Sequence, residues 1–157
     1  MKIKLIAIAQ TSQSFVQEGL EEYAKRLKNF VSFEFVAIKD IKNAKNLSKE
    51  ELKKKEGEEI LKLLENGDHI ILLDDKGKMY TSMQFADFIL KKQNLATKSV
   101  VFIIGGAYGF SEDVYAKSQE KLSLSPMTFS HQMIRMIFAE QLYRAYAIIN
   151  HLPYHHE

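Results

Sequence analysis

Two arginines stand out because they interrupt an otherwise apolar run near the C-terminus, MIRMIFAEQLYRAYAII. A cation on an apolar helix needs an anionic or hydrogen-bonding partner. Arg135 and Arg144 are therefore candidates for binding a phosphate or a base carbonyl. The competing reading is a salt bridge with Glu140 or with a partner chain. The histidines are His69, His131, His151, His155 and His156. His151, His155 and His156 lie close together, but Pro153 breaks the helix that would present them jointly, and no carboxylate or thiolate has matching spacing. No metal is expected.

A second group of candidates is made of loops. Leu73-Asp74-Asp75-Lys76-Gly77, Gly105-Gly106-Ala107-Tyr108-Gly109 and Leu124-Ser125-Pro126-Met127-Thr128 each follow an apolar stretch. Each alone is ordinary turn chemistry. The glycines fit neither G-x-G-x-x-G nor a Walker A pattern, so a nucleotide phosphate is not the obvious ligand.

These loops need elements to hold them. Lys2 to Ala9 alternates as a strand, and Phe15, Val16, Leu20, Tyr23 and Leu27 recur at helical spacing. Phe33 to Ile38 is a second strand. Ser48 with Glu51 forms a capping-box pattern that opens a helix ending near Gly67. His69 to Leu73 and Ser99 to Ile104 are continuous apolar runs, as expected of strands buried on both faces. Thr81 with Gln84 opens another helix, Ser111 caps a short one, Lys121 to Leu124 is a short strand, and a long helix fills Ser130 to Asn150. Strands alternating with helices imply an α/β fold with a mainly parallel sheet. The three loops then meet at the carboxyl edge of that sheet, where such folds bind ligands. The last helix is apolar nearly all round, and a homodimer through it is the economical way to cover its second side.

The 157 residues suffice for one domain, residues 1–157. With 46% hydrophobic and 27% charged residues the composition is that of a soluble globular protein. There is no cysteine, no signal peptide and no membrane-length apolar run, so a cytoplasmic location is expected. Net charge is +2. Lysines cluster at Lys39, Lys42, Lys45, Lys49, Lys53, Lys54 and Lys55, interleaved with Asp40, Glu50, Glu51 and Glu56, which reads as a solvated helix face.

In order and spacing, LLDDKGK, VFIIGGAYGF and LSLSPMTFSHQMIRMIFAEQLYRAYAIINHLPYHHE resemble the signatures of the RlmH family of the SPOUT superfamily, and the resemblance spans the whole chain. It implies a C-terminal trefoil knot, a homodimer, S-adenosylmethionine as cofactor, and methylation of N3 of a pseudouridine in 23S rRNA. With so modest a net charge, assembled ribosomes rather than isolated RNA are the expected substrate. The resemblance further implies cofactor contacts at Leu73, Gly105, Leu124, Ser125, Pro126, Met127, Thr128 and Phe129. Glycine at 105 and 106 lets the backbone approach a ligand. Pro126 stands where the family more often has another residue, and it offers no N–H. Ser130 stands where the family more often has proline, and it can still cap the last helix.

For such a reaction the candidate catalytic residues are His155 first, then His131, with Tyr154 and Arg135. Arg144 and Tyr154 are candidates for RNA contact, since an aromatic tail suits stacking on a base. The rival readings are a methyltransferase of the same superfamily acting on tRNA and a dimeric cofactor-binding module without chemistry.

Overall fold

The computed structural model describes residues 1–155, so His156 lies outside the described residues. The strands are β1 (Lys2–Ile8), β2 (Ser32–Ile38), β3 (Asp68–Met79), β4 (Ser99–Ile104) and β5 (Glu120–Ser123). The helices are α1 (Ser14–Leu27), α2 (Lys49–Lys62), α3 (Ser82–Asn94), α4 (Glu112–Lys117) and α5 (Met133–Ile149). All five strands join one sheet in the order β2-β1-β4-β3-β5, and every pairing is parallel.

The capping signals act as their chemistry requires. Ser48 and Glu51 exchange side-chain and backbone hydrogen bonds at the start of α2, as Thr81 and Gln84 do at α3. Ser111 accepts from the amide of Val114. Ser130 Oγ accepts from the amide of Met133 at 3.1 Å, so the turn before α5 begins there.

The central strands are buried on both faces and divide the core in two. Ile3, Leu5 and Ala7 of β1, with Phe102 of β4, pack beneath α1, α3 and α5. Ile6, Val101 and Ile103 face the other way, against Ile60 of α2 and Val114 of α4. Fully burying side chains of this size is worth about 1.5–3 kcal/mol each, so these two layers hold the sheet and fix where its carboxyl edge lies.

Two features differ from the sequence reading. β3 does not end at Leu73. Its pairing with β5 runs through Leu73↔Leu122, breaks, and resumes at Lys78↔Leu122. Residues 74 to 77 therefore bulge out of register. Gly77 lies so close to β5 that a Cβ there would stand 2.5 Å from backbone atoms of Leu122. The second difference concerns α5. It packs between α1 and α3, and none of its residues is exposed in the single chain. Ile137, Tyr143, Ile148 and Ile149 among others are only half-buried, so part of its apolar surface stays uncovered in the single chain.

Candidate active site

The loops after β3, β4 and β5 converge at the carboxyl edge around a cleft of about 430 Å³, a size that suits a small organic ligand. Leu73 begins the β3 bulge and Gly105 follows β4; both line the cleft. Leu124, Ser125, Met127, Thr128 and Phe129 form the wall after β5, and His131 and Ile134 close it from the start of α5. Pro126 does not line the cleft and points to solvent. The turn around it is held by side chains instead: Ser125 Oγ accepts from the amide of Met127 at 2.9 Å, and Ser123 Oγ–H donates to the Ser125 carbonyl at 3.0 Å. The amides of Thr128 and Phe129 donate to no acceptor among the described residues.

The mouth is apolar and open. Met127 is 76% exposed, and Tyr108 and Phe129 stand at the same rim. Exposed apolar side chains gathered around a concavity mark a surface built to be covered.

The bulge supplies charge. Asp74 and Asp75 both line the cleft. Tyr115 Oη–H donates to Asp74 Oδ2 at 2.7 Å, and the amide of Lys76 donates to Oδ1 at 2.9 Å. Burial pushes the Asp74 carboxyl up, but these bonds outweigh it and hold the group below its ordinary value. The Tyr115 phenol is pushed up to about 12 by burial and by its bond to Asp74. The cleft thus carries the Asp74 carboxylate with the Tyr115 phenol hydrogen-bonded to it.

Behind the glycine loop lies Glu56 of α2, only 7% exposed. A Cβ on Gly106 would stand 2.3 Å from Glu56 Oε2, so glycine is what lets the carboxyl pack against the loop backbone. Burial raises this carboxyl above its ordinary value. Asp74, Tyr115 and Glu56 escaped the sequence reading. Asp74 stands in a loop recognised there, but its role depends on Tyr115, which is brought to it across the fold. Nothing local marks Glu56 as different from the other acids of α2.

The remaining candidates fall elsewhere. Arg135 is 0% exposed and does not line the cleft. Its guanidinium donates to the carbonyls of Ile8 (2.7 Å) and His131 (2.9 Å) and to Thr11 Oγ1 (2.9 Å). It therefore ties the end of β1 to the turn that carries His131. Burial without a paired carboxylate lowers its pKa.

Arg144, Tyr154 and His155 form a separate cluster on the outer side of α5. Arg144 makes the salt bridge to Glu140 at 2.6 Å and lies 4.8 Å over the Tyr154 ring. Its Nη1 is 3.4 Å from His155 Nδ1. Tyr154 Oη–H donates to Glu140 at 3.2 Å and lies 3.3 Å from the Tyr23 hydroxyl. Burial and these neighbours raise the Tyr154 phenol. Tyr154 and His155 are thus docked beside α5, and within one chain neither lines the cleft. Among the described residues there is no group of three metal-ligating acids or histidines, and no helix is long and apolar enough to cross a membrane.

The model of a family described as predicted SPOUT methyltransferase matches residues 1–155. The chain is 55% identical to ribosomal RNA large subunit methyltransferase H of Parabacteroides distasonis, covering 100% of both chains. It is 51% identical to proteins of the same name from Phocaeicola vulgatus and Flavobacterium johnsoniae, again over 100% of each. Among solved structures it resembles a probable methylase family protein of Haemophilus influenzae, with a TM-score of 0.53 and 12% identity over 95% of this chain and 66% of that one. That likeness concerns the fold, while the family model and the full-length relatives show the family: the chain belongs to the SPOUT methyltransferases, in the group of the ribosomal RNA large subunit methyltransferase H proteins.

Proposed function

We propose that the protein transfers a methyl group from S-adenosylmethionine to N3 of a pseudouridine in 23S rRNA of the assembled ribosome, and so works in the cytoplasm. The observation that carries this reading is the three-loop cleft at the carboxyl edge, in a chain whose full-length relatives bear that methyltransferase name.

The residues present fit this cofactor. Leu73, Leu124, Met127 and Phe129 offer apolar walls for a flat base, and the glycine loop offers close backbone approach. The amides of Thr128 and Phe129 are free to donate to a ligand. Pro126, facing outward without an N–H, contributes no such bond and leaves that work to its neighbours. Asp74, held ionised by Tyr115, complements a cationic ligand. S-adenosylmethionine supplies a methyl group already activated on a sulfonium, which is the hard part of the chemistry.

The protein's task is then to hold the base nitrogen in line, exclude water and manage one proton. N3–H of pseudouridine lies between two carbonyls and is weakly acidic, so a nearby base or cation assists its loss. Of the two candidate histidines, His131 lines the cleft within one chain. His155 and Tyr154, with Arg144, are placed by this reading on the RNA or at the cleft of a second copy. A homodimer through α5 would bring the tail cluster of one protomer to the edge of the other. Arg135 is a positioning residue that holds the His131 turn. The superfamily's deep trefoil knot belongs to this reading, and residues 74–77 lie close against β5.

The test uses labelled S-adenosylmethionine and ribosomes lacking the modification, with nucleosides of the digested rRNA identified by mass spectrometry. Label is expected in 3-methylpseudouridine. It should be lost in a Tyr154→Ala/His155→Ala variant that still binds cofactor. Cofactor binding without transfer to ribosomes would overturn the assignment in favour of tRNA as substrate or of a binding module without chemistry.

A further inference from the structure

The lysine-rich stretch between β2 and α2 has a different character in the fold from the one its composition gives. Lys39, Lys42, Lys45 and Lys49 are all exposed, and none makes an ion pair among the described residues. The acids that interleave the sequence cluster lie mostly further along α2, where Glu50 takes Lys53 at 2.7 Å. Between residues 39 and 49 only Asp40 is acidic. The segment is also shaped. Asn43 takes the left-handed conformation at φ +57°, a short 3₁₀ turn spans Ala44–Asn46, and the Ser48 capping box closes it.

Its position matters most. β2 runs parallel to the rest of the sheet, so the loop leaving Ile38 emerges at the same edge as the cleft. Lys49 Nζ sits 5.2 Å over the ring of Tyr108, which stands on the cleft rim. The loop after the neighbouring strand β1 is pinned to the turn that carries His131, where Gln132 bonds the Gln10 carbonyl and the Ser12 amide. Exposed lysines without an ion pair among the described residues thus lie on a segment that leaves the sheet at the cleft edge and returns to its rim at Lys49.

We propose that Lys39, Lys42 and Lys45, with Lys49 at the rim, bind the RNA phosphodiester backbone flanking the target nucleotide. The inference rests on the proposed action on ribosomal RNA and adds where that RNA lies. A chain with net charge of only +2 has little long-range attraction for RNA, so a local row of unpaired lysines is the way for it to engage phosphates. Such interactions set register on the substrate without reading its sequence.

The test compares two charge-matched triple variants. Lys39→Gln/Lys42→Gln/Lys45→Gln removes charge at the cleft edge. Lys28→Gln/Lys98→Gln/Lys117→Gln removes the same charge from exposed positions at the opposite edge. Ribosome affinity is measured by co-sedimentation over a range of salt, and methyl transfer is followed in parallel. Calorimetry with S-adenosylmethionine checks that each variant keeps its cleft. The cleft-edge variant is expected to bind ribosomes roughly tenfold more weakly. It should also flatten the log–log salt slope by about 2, at some 0.7–0.9 for each phosphate that is no longer neutralised. The opposite-edge variant should leave the slope unchanged. Equal weakening in both variants, or an unchanged slope in the first, overturns the proposal. Wild-type binding that depends on these lysines without any methyl transfer would instead overturn the enzymatic reading and leave the surface standing.

Discussion

The two edges of the sheet are built from similar residues used in opposite ways. At the amino edge, His69 of β3, Glu120 of β5 and Lys92 of α3 close on one another. His69 Nε2 lies 2.6 Å from Glu120 Oε1 and 2.9 Å from Lys92 Nζ, and Lys92 pairs with the same carboxylate. Burial pushes Glu120 up, but Lys92 and His69 outweigh it and hold the carboxyl below its ordinary value. At the carboxyl edge Lys39, Lys42 and Lys45 make no ion pair among the described residues, the amides of Thr128 and Phe129 have no acceptor there, and Met127 lies in solvent. Groups that satisfy one another stabilise the fold, whereas groups left unsatisfied are available to a ligand. The contrast is why we propose the carboxyl edge as the functional one and read the amino edge as structural.

Arg135 is the satisfied group within the carboxyl edge, holding the end of β1 to the His131 turn, and removing it should have the largest effect. Arg135→Ala leaves a cavity and strips the Ile8 carbonyl of its donor, for an expected loss of about 3 kcal/mol, measured by denaturant unfolding. Loss of cofactor affinity is expected as well, because the His131 turn is released. Full stability would show that the guanidinium is not the joint described. Met127→Ala tests the carboxyl edge alone. Because that side chain is so exposed, stability should stay within about 0.5 kcal/mol, while cofactor affinity should fall roughly tenfold if the thioether covers the ligand.

Glu120→Gln is the mirror experiment. A depressed carboxyl contributes stability that is present above the ordinary value of 4.5 and is lost as pH falls through the folded value below it. The variant should therefore cost about 1 kcal/mol or less at neutral pH, given its partial exposure, and nothing once the pH lies below that folded value. Cofactor binding should not change. The smallest effect is expected at Glu56, whose raised carboxyl works in the other sense. The wild-type protein should lose stability as pH rises past 4.5 through the raised folded value, and Glu56→Gln should remove that step from the unfolding profile. An unaltered profile would show that the carboxyl behind Gly106 is solvated.

Much of this architecture is legible in local chemistry. Apolar runs mark the buried strands, and Ser48, Thr81, Ser111 and Ser130 mark helix starts, because a strand core and an N-cap are decided within a few residues. The bulge at residues 74–77 is not legible, since LDDKGK reads as a turn until β5 is laid beside it. For Arg144 the sequence leaves two alternatives, and its spacing from Glu140, one helical turn away, favours the pair that forms. Arg135 shows the limit: its partners Ile8 and Thr11 lie more than a hundred residues away. The cofactor loops are placed by family resemblance, and seven of those eight residues line one cleft. Their convergence is a property of the parallel sheet, which brings the ends of separate strands to one edge.

The central claim is that this cleft holds the cofactor. Amide hydrogen exchange with and without S-adenosylmethionine tests it most directly. Protection is expected in residues 73–77, 105–110 and 123–131, with the amino edge around His69, Lys92 and Glu120 unchanged. Protection at the amino edge, or none in the three loops at saturating cofactor, would contradict it.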